Sequence, residues 1–145
     1  MTDTCAFCAV VRRDKPAYIV FQDELSLAFL DVRPLFPGHC LLVPRKHVET
    51  LPELEADMIG PFFTNVQRLT AAVETAMAAE GTFVAINNKV SQSVPHLHVH
   101  IVPRRKKDGL RGFFWPRNPY RDEQHMGTVQ EQIVRALQTG RRATR

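Results

Sequence analysis

Residues 91–103 read Ser-Gln-Ser-Val-Pro-His-Leu-His-Val-His-Ile-Val-Pro, so that three histidines alternate with aliphatic residues. Alternation with a period of two is typical of a β-strand, in which successive side chains point to opposite faces of the sheet. The stretch predicts a strand over Leu97–Val102, with its aliphatic side chains in a core. The imidazole rings of His96, His98 and His100 then share the other face, about 7 Å apart at a rise of about 3.3 Å per residue.

Three histidines on one strand face have three interpretations. Two neighbouring imidazoles can flank one phosphorus centre, because a phosphate spans only part of the gap between them. The alternatives are a metal site that uses all three rings and a chance cluster on a solvated face. The chain has six histidines, and half of them on one face make chance the weakest interpretation.

Patterns on both sides of this stretch predict the remaining strands. Period-two runs of β-forming residues indicate strands near Tyr18–Phe21 and Leu25–Leu30. A buried-looking run, Cys40–Val43, follows a loop rich in proline and glycine, and a further strand is predicted at Phe83–Asn87.

A long helix is predicted between the third and fourth strands. Apolar residues recur every three or four positions from Met58 to Met77, which places them on one helix face. Asp57 is the expected cap, Pro61 is expected in the first turn, and Gly81 is expected to end the helix. Strands and helices with mixed connections predict an α+β domain.

The chain changes character after Pro103. Arg104–Lys107 is a run of four cations, interpreted as a solvated strand exit rather than a nucleic-acid contact. The aromatic cluster 113–115 has a core role as its first interpretation and closure over a ligand pocket as its second. Residues 126–137 form a candidate amphipathic helix, whose apolar stripe needs a partner surface on this chain or on a second copy.

Composition excludes several classes of protein. The 145 residues, 44% hydrophobic and 23% charged, suit one globular domain and not a disordered chain. The net charge of +4 is concentrated at the C-terminal tail and does not indicate nucleic acid or an acidic membrane as a partner. No apolar run approaches the roughly 18 residues of a membrane span. Asp3 before the first apolar stretch and Arg12-Arg13 after it do not fit a secretory signal, so a cytoplasmic location is expected.

The three cysteines do not form a disulfide framework, because their number is odd. Cys5 and Cys8 form a C-x-x-C pair, which is typical of half a metal site or of a redox couple. Cys40 lies alone in an apolar run.

The arrangement resembles the histidine-triad family of nucleotide hydrolases and transferases. The resemblance covers about residues 5 to 104 and depends on three motifs: His96-x-His98-x-His100-Ile-Val, Leu30-Asp-x-x-Pro-x-x-Pro-Gly-His39, and Val43-Pro-Arg-Lys-His47. It implies a five-stranded antiparallel sheet with one long helix, and usually a homodimer. The implied division is a histidine-triad domain over 1–104 and a C-terminal helical extension over 105–145, packed on the same domain or on a dimer partner.

The resemblance also implies a role for individual residues. His98 matches the nucleophile, His100 the histidine that contacts the phosphate, and His39 the residue that buttresses them. The implied nucleotide-binding residues are Asp31 at the ribose, Ser93 at the α-phosphate, and Asn88 and Gln92 in the preceding loop. Asp31 has a strand-end turn cap as its alternative. The loop 87–92 contains no glycine, unlike the usual family pattern.

A structural zinc ion is implied by the zinc-containing relatives. The matching ligands are Cys5, Cys8, His47 and His96, and two thiolates with two imidazoles suit a closed tetrahedral site. Such a site leaves His98 and His100 for phosphate. The alternative is a metal-free site with reduced, buried cysteines.

The implied function is hydrolysis at the α-phosphorus of a purine nucleoside phosphoramidate or related conjugate, through a covalent nucleotidyl-histidine. A dinucleoside polyphosphate hydrolase is the close alternative. A nucleotidyl transferase is disfavoured, because such relatives typically carry Gln where this chain has His100. A non-catalytic nucleotide-binding module and a C-x-x-C redox protein remain as alternatives from other classes.

Overall fold

The computed structural model describes residues 4–110 and 117–142. The chain divides into two compact units, Met1–Asp108 and Gly109–Arg145. The aromatic cluster 113–115 lies outside the described residues, so its predicted role stays a prediction. Where the extension packs likewise stays a prediction.

An antiparallel sheet of five strands forms the first unit, in the spatial order β1-β2-β3-β5-β4. Helix α1 spans Ala6–Val11 and helix α2 spans Ala56–Ala76, with a short 3₁₀ helix at Leu51–Glu53. The strands are β1 (Ile19–Gln22), β2 (Ser26–Leu30), β3 (Cys40–Pro44), β4 (Gly81–Ala85) and β5 (Val99–Arg104). The predicted α+β fold with one long helix and a C-terminal helix is confirmed.

The two faces of the sheet carry separate cores. The side chains of Leu97, Val99 and Ile101 are fully buried and pack in one cluster with residues of α2, including Phe62 and Leu69. On the other face, residues of β2 and β3 form a second cluster with Val10 of α1 and the partly buried Phe7. Because burial of one such side chain contributes about 1.5–3 kcal/mol, the aliphatic residues between the histidines anchor the strand.

The strand that carries the histidines begins two residues later than predicted. Val99 is the first residue that pairs with β3, opposite Leu42, and His100 lies opposite Leu41. Leu97 instead donates its N–H to the carbonyl of Val48 at 2.7 Å. The chain at 96–98 therefore pairs with the segment that leaves β3.

Helix α2 differs from the sequence expectation at both ends. Its cap residue is Glu55, without a side-chain capping bond, and Pro61 is the sixth helical residue rather than part of the first turn. The helix ends at Ala76, and Ala78 takes a left-handed φ of 47°. The guanidinium of Arg105 donates to the carbonyls of Met77 and Ala78. These bonds satisfy carbonyls just past the last turn without a glycine, and Gly81 opens β4 instead.

The second unit contains helix α3, Glu123–Arg142. Met126, Ile133 and Leu137 are more than half exposed, which leaves the predicted apolar stripe on the surface of this unit. In the part of the chain that the structure describes, no helix combines the length and apolar character needed to span a bilayer.

Candidate functional site

His98 lies at the mouth of β5 in a nearly closed environment, with 3% of its surface exposed. Its Nδ1–H donates to the carbonyl of His96 at 2.7 Å. A carbonyl only accepts, so the lone pair of the neutral ring is on Nε2. The ring packs edge-on against Phe7, with centroids 5.1 Å apart, and against His100 at 4.9 Å.

His39 and His100 form a hydrogen-bonded pair beside it. His39 directly precedes β3 and His100 lies in β5, which is the neighbour of β3, so the sheet itself brings the two rings together. Nε2 of His39 and Nδ1 of His100 are 3.0 Å apart. Burial is the main reason that the pKa of His100 falls to about 4, with the neighbouring His98 and His39 adding to the effect. Burial also lowers the pKa of His39, so both rings are neutral at pH 7.

The lowered pKa of His100 gives the folded protein a pH-dependent stability. Unfolding returns the pKa from about 4 to the ordinary 6.5, so the unfolded chain binds more protons in this window. The stabilisation of the folded protein that comes from this lowered pKa is complete above pH 6.5 and is lost as the pH falls towards 4. We expect the free energy of unfolding to fall less steeply between pH 7 and 5 in His100→Asn than in the wild type.

The difference in slope between the two proteins is at most that of one proton taken up on unfolding, about 1.4 kcal/mol per pH unit, and the partial exposure of the His100 ring reduces it. Urea unfolding of both proteins at several pH values in this window measures it. Parallel stability curves would contradict a buried neutral His100.

Cys5, Cys8, His47 and His96 form a second group, here called the cysteine–histidine group, on the other side of His98. Nδ1 of His96 lies 3.5 Å from Sγ of Cys5 and 3.6 Å from Sγ of Cys8. Nδ1 of His47 lies 3.3 Å from Sγ of Cys8 and 3.3 Å from Nδ1 of His96. All four ligand atoms lie within 4.8 Å of one another.

Three of these four distances fit the edges of a tetrahedral zinc site, and the 3.3 Å between His47 and Cys8 is shorter than such an edge. Zinc bonds of about 2.3 Å to sulfur and 2.0–2.1 Å to nitrogen place two nitrogens about 3.3–3.4 Å apart and a nitrogen and a sulfur about 3.5–3.6 Å apart. His96 donates its Nε2–H to the carbonyl of Pro44 at 2.8 Å, which turns the lone pair of Nδ1 towards the sulfurs. Its pKa is lowered to about 4, mainly by burial. The ring is therefore neutral at pH 7, as a metal ligand must be.

Helix α1 positions both thiols of the cysteine–histidine group. Cys5 is the cap of this helix, and its Sγ accepts the N–H of Cys8 at 3.4 Å. Cys5 and Cys8 are both buried, with exposed fractions of 5% and 0%. His47 reaches the group from the segment after β3.

Asp31, His39 and His100 form a third group whose ligand atoms are close enough for a metal ion. The N–H of Leu35 donates to Nδ1 of His39 at 3.1 Å, so this nitrogen holds a lone pair. A neutral His39 that bound a metal through Nε2 would need a proton on Nδ1, facing that N–H. The donor set therefore does not suit a metal. Asp31 accepts the N–H of Arg33 at 2.8 Å, which is the turn-cap contact that the sequence offered as an alternative.

The loop that carries Asn88, Gln92 and Ser93 is braced by two side-chain amides. Oδ1 of Asn88 accepts the N–H of Leu51 at 2.8 Å, and Nε2 of Gln92 donates to the carbonyl of Glu49 at 2.6 Å. Lys89 and Ser91 take left-handed φ values of 69° and 59°, so the loop turns tightly without the expected glycines. Ser93 is exposed. Nucleotide binding by these residues stays a prediction.

Two contacts at the site were missed in the sequence. Phe7 lies between the two cysteines, and its ring contacts His96 and His98 at centroid distances of 6.0 and 5.1 Å. Its position inside the C-x-x-C pair is a signal that could have found it. Leu35 acts through its backbone N–H, and no side-chain pattern could have shown that.

Comparison with known protein families and sequences identifies relatives of this chain. A family model described as the HIT domain matches residues 12–107. An uncharacterized HIT-like protein of Methanocaldococcus jannaschii is 38% identical over 107 residues, 72% of this chain and 82% of that protein. An adenylylsulfatase of Arabidopsis thaliana is 30% identical over 112 residues, 76% of this chain and 57% of that protein. An asymmetrical bis(5'-nucleosyl)-tetraphosphatase of Schizosaccharomyces pombe is 35% identical over 92 residues, 62% of this chain and 50% of that protein.

Solved structures share the fold. A Streptococcus mutans protein matches with a TM-score of 0.86 and 32% identity, over 94% of this chain and 87% of that one. A zinc-bound histidine triad family protein of Mycobacterium smegmatis matches with a TM-score of 0.70 and 33% identity, over 92% of this chain and 97% of that one.

Proposed function

The chain belongs to the HIT-domain family, and from this membership we propose that it hydrolyses a purine nucleoside phosphoramidate or related nucleotide conjugate at the α-phosphorus. The observation that carries the proposal is the state of His98. Its Nδ1–H is held by the carbonyl of His96, so that the neutral form of the ring has its lone pair on Nε2, and the cysteine–histidine group does not include it. A neutral imidazole in this state is a nucleophile that needs no further activation.

The proposed reaction has two steps at the α-phosphorus. In the first, the lone pair of Nε2 of His98 forms a P–N bond while the bond to the leaving group breaks, and the leaving amine departs with that electron pair and takes up a proton from solvent. In the second, a water oxygen attacks the same phosphorus and gives up a proton to solvent, and the electron pair of the breaking P–N bond returns to Nε2 of His98. A nucleoside monophosphate is released and the neutral ring is restored.

The neighbouring residues are proposed to bind the nucleotide and steady the reacting phosphate. His100 donates to a non-bridging oxygen, where charge develops in the transition state, and His39 holds His100 through their 3.0 Å contact. Asp31 is partly exposed beside them and accepts from the ribose hydroxyls. Ser93, Asn88 and Gln92 line the approach of the α-phosphate from the adjoining loop.

The cysteine–histidine group is proposed to bind a structural zinc ion. The distances between its ligand atoms, the neutral buried His96 and the zinc-bound Mycobacterium smegmatis relative support this. Zinc bound there would cross-link α1, the segment after β3 and His96, which lies two residues before His98. With four protein ligands the site is closed, so its contribution is stability and not catalysis.

Two relatives support an attack on a nucleotide and differ in the leaving group. One is an adenylylsulfatase and the other a bis(5'-nucleosyl)-tetraphosphatase. Both names describe the cleavage of a nucleotide conjugate. Hydrolysis of a dinucleoside polyphosphate is accordingly the second candidate function, with the same nucleophile.

Initial rates on a panel of conjugates test the proposal. The panel comprises adenosine and guanosine phosphoramidates, adenosine 5'-phosphosulfate and diadenosine tetraphosphate, with nucleoside monophosphate measured as product. We expect release of monophosphate from the phosphoramidates at the highest kcat/KM. Faster cleavage of the tetraphosphate would select the second candidate. Saturable binding without monophosphate release from any conjugate would overturn the hydrolase and select a non-catalytic nucleotide-binding module.

The homodimer and the cytoplasmic location are also proposals. The homodimer follows from the family resemblance, and sedimentation of the full chain tests it. All three cysteines are buried as thiols rather than joined in disulfides, which suits a reducing compartment such as the cytoplasm.

A further inference from the structure

The loop between β2 and β3 determines which nitrogen of His39 carries a proton. The backbone N–H of Leu35 donates to Nδ1 of His39 at 3.1 Å. An N–H cannot accept, so Nδ1 holds a lone pair and the one proton of the neutral ring is on Nε2. Burial keeps the ring neutral, since it lowers the pKa of His39.

His39 in this tautomer determines the tautomer of His100. Their Nε2 and Nδ1 atoms are 3.0 Å apart, so His39 donates through Nε2–H and Nδ1 of His100 accepts. Oδ2 of Asp31 is 3.7 Å from the same Nε2, which is too far for a hydrogen bond that competes. His100 is also neutral at pH 7. Its single N–H is therefore on Nε2, on the side of the ring away from His39.

His98 is held in the opposite tautomer. Its Nδ1–H donates to the carbonyl of His96, so the neutral ring has its lone pair on Nε2. The ring centroids of His98 and His100 are 4.9 Å apart. In these tautomers Nε2 of His98 presents a lone pair, whereas Nε2 of His100 presents an N–H. Attack on phosphorus needs both, because the nucleophile must be unprotonated while the phosphoryl oxygen needs a donor.

We propose that the backbone N–H of Leu35 is a positioning group that acts through His39 to hold His100 in the tautomer that presents Nε2–H to the substrate. The inference rests on the proposed function, since the donor matters only if phosphate is bound there. The inference assigns a role in the reaction to Leu35, which lies outside the His96-x-His98-x-His100 motif. The loop 31–39 holds this residue in place.

The loop is built to hold this N–H in place. Its ends are tied by the N–H of Asp31, which donates to the carbonyl of His39 at 2.9 Å, and the N–H of His39 donates to Phe36 at 3.0 Å. Gly38 has a φ of 97°, and a Cβ there would lie 2.6 Å from Cγ of Met77. The glycine of the Pro-Gly-His motif is therefore required by both backbone conformation and space.

Nitrogen-15 NMR of the histidine side chains in the full chain tests the tautomers directly. We expect one dominant tautomer at each ring at pH 7: Nε2–H at His39 and His100, and Nδ1–H at His98. Leu35→Pro removes the backbone N–H, and Leu35→Ala keeps it. The side chain of Leu35 is 48% exposed, so Leu35→Ala is a matched control for the lost side chain.

In Leu35→Pro we expect His39 and His100 to become tautomer mixtures, and kcat on the phosphoramidate to fall about ten- to a hundredfold with KM little changed. Leu35→Ala should keep the wild-type tautomers and kcat. A wild-type His100 with its proton on Nδ1 would overturn the inference, even if Leu35→Pro does not fold. A folded Leu35→Pro with unchanged tautomers would also overturn it. The tautomers are read without turnover, so expected tautomers in a chain that hydrolyses no conjugate would count against the proposed function alone.

Discussion

Replacing His98 by alanine is expected to lower kcat on the phosphoramidate by about four to six orders of magnitude, with KM or the dissociation constant of the nucleotide changed little. In the proposed mechanism the ring supplies the atom that bonds to phosphorus, so its loss removes the group that forms the covalent intermediate. The proposed nucleotide-binding residues, Asp31, His100 and the adjoining loop, are left in place by the substitution. Single-turnover kinetics and equilibrium binding of a nucleoside monophosphate measure the two effects separately.

His125→Ala is the matched control for the removal of an imidazole. His125 lies in α3, in the second unit of the chain, and its Nδ1 accepts the N–H of Arg121. We expect wild-type turnover from this variant. A His98→Ala protein that is folded and still turns over the substrate within tenfold of the wild-type rate would contradict the assignment of the nucleophile.

The second large effect is expected at the cysteine–histidine group. Cys8→Ala removes a proposed zinc ligand, a fully buried thiol that lies 3.3 Å from Nδ1 of His47 and 3.6 Å from Nδ1 of His96. We expect loss of stoichiometric zinc and a fall of at least about 4 kcal/mol in the free energy of unfolding, because a structural metal contributes its binding energy to the folded state. For a chain of this size the fall corresponds to roughly 10 °C in Tm.

Cys40→Ala is the control for the loss of a buried thiol. Cys40 is 3% exposed in the core beneath α2 and lies outside the cysteine–histidine group. Its replacement is expected to cost about 1–2 kcal/mol and to leave the zinc content unchanged. Two results would contradict the zinc proposal. One is the absence of zinc from wild-type protein prepared without chelators, and the other is a Cys8→Ala protein as stable as Cys40→Ala.

The fold could be predicted from the sequence because its strongest signals are periodic. The alternation over His96–Ile101 and the helical repeat from Met58 to Met77 each predict which side of the element faces the core. The buried cluster contains residues from the predicted side of both elements. The placement of Cys5, Cys8, His47 and His96 together required the family resemblance, since the four positions are far apart in the chain. Their roles, and those of the nucleotide-binding residues, stay predictions.

The ends of the helices and strands and the contacts of backbone groups could not be predicted from the sequence, for physical reasons. Helix α2 ends without its expected glycine: Ala78 takes the left-handed conformation, and Arg105, nearly thirty residues later, donates to the carbonyls of Met77 and Ala78. Strand β5 begins at Val99 and not at Leu97, whose N–H donates to the carbonyl of Val48 instead. The tautomer of His39 depends on a backbone N–H that every residue except proline possesses. The contacts of Arg105 and Leu97 join distant segments, about which a local pattern carries no information.

Covalent trapping tests whether Nε2 of His98 bonds to phosphorus, as the proposed mechanism requires. Enzyme mixed with a phosphoramidate is denatured at alkaline pH within the first turnover, digested and analysed by mass spectrometry. We expect one nucleoside monophosphoryl group on the peptide that contains His98. Fragmentation should localise the group to that residue, and the His98→Ala protein should lack it. A nucleotidyl group on another residue, or turnover without any adduct on His98, would contradict the proposed mechanism.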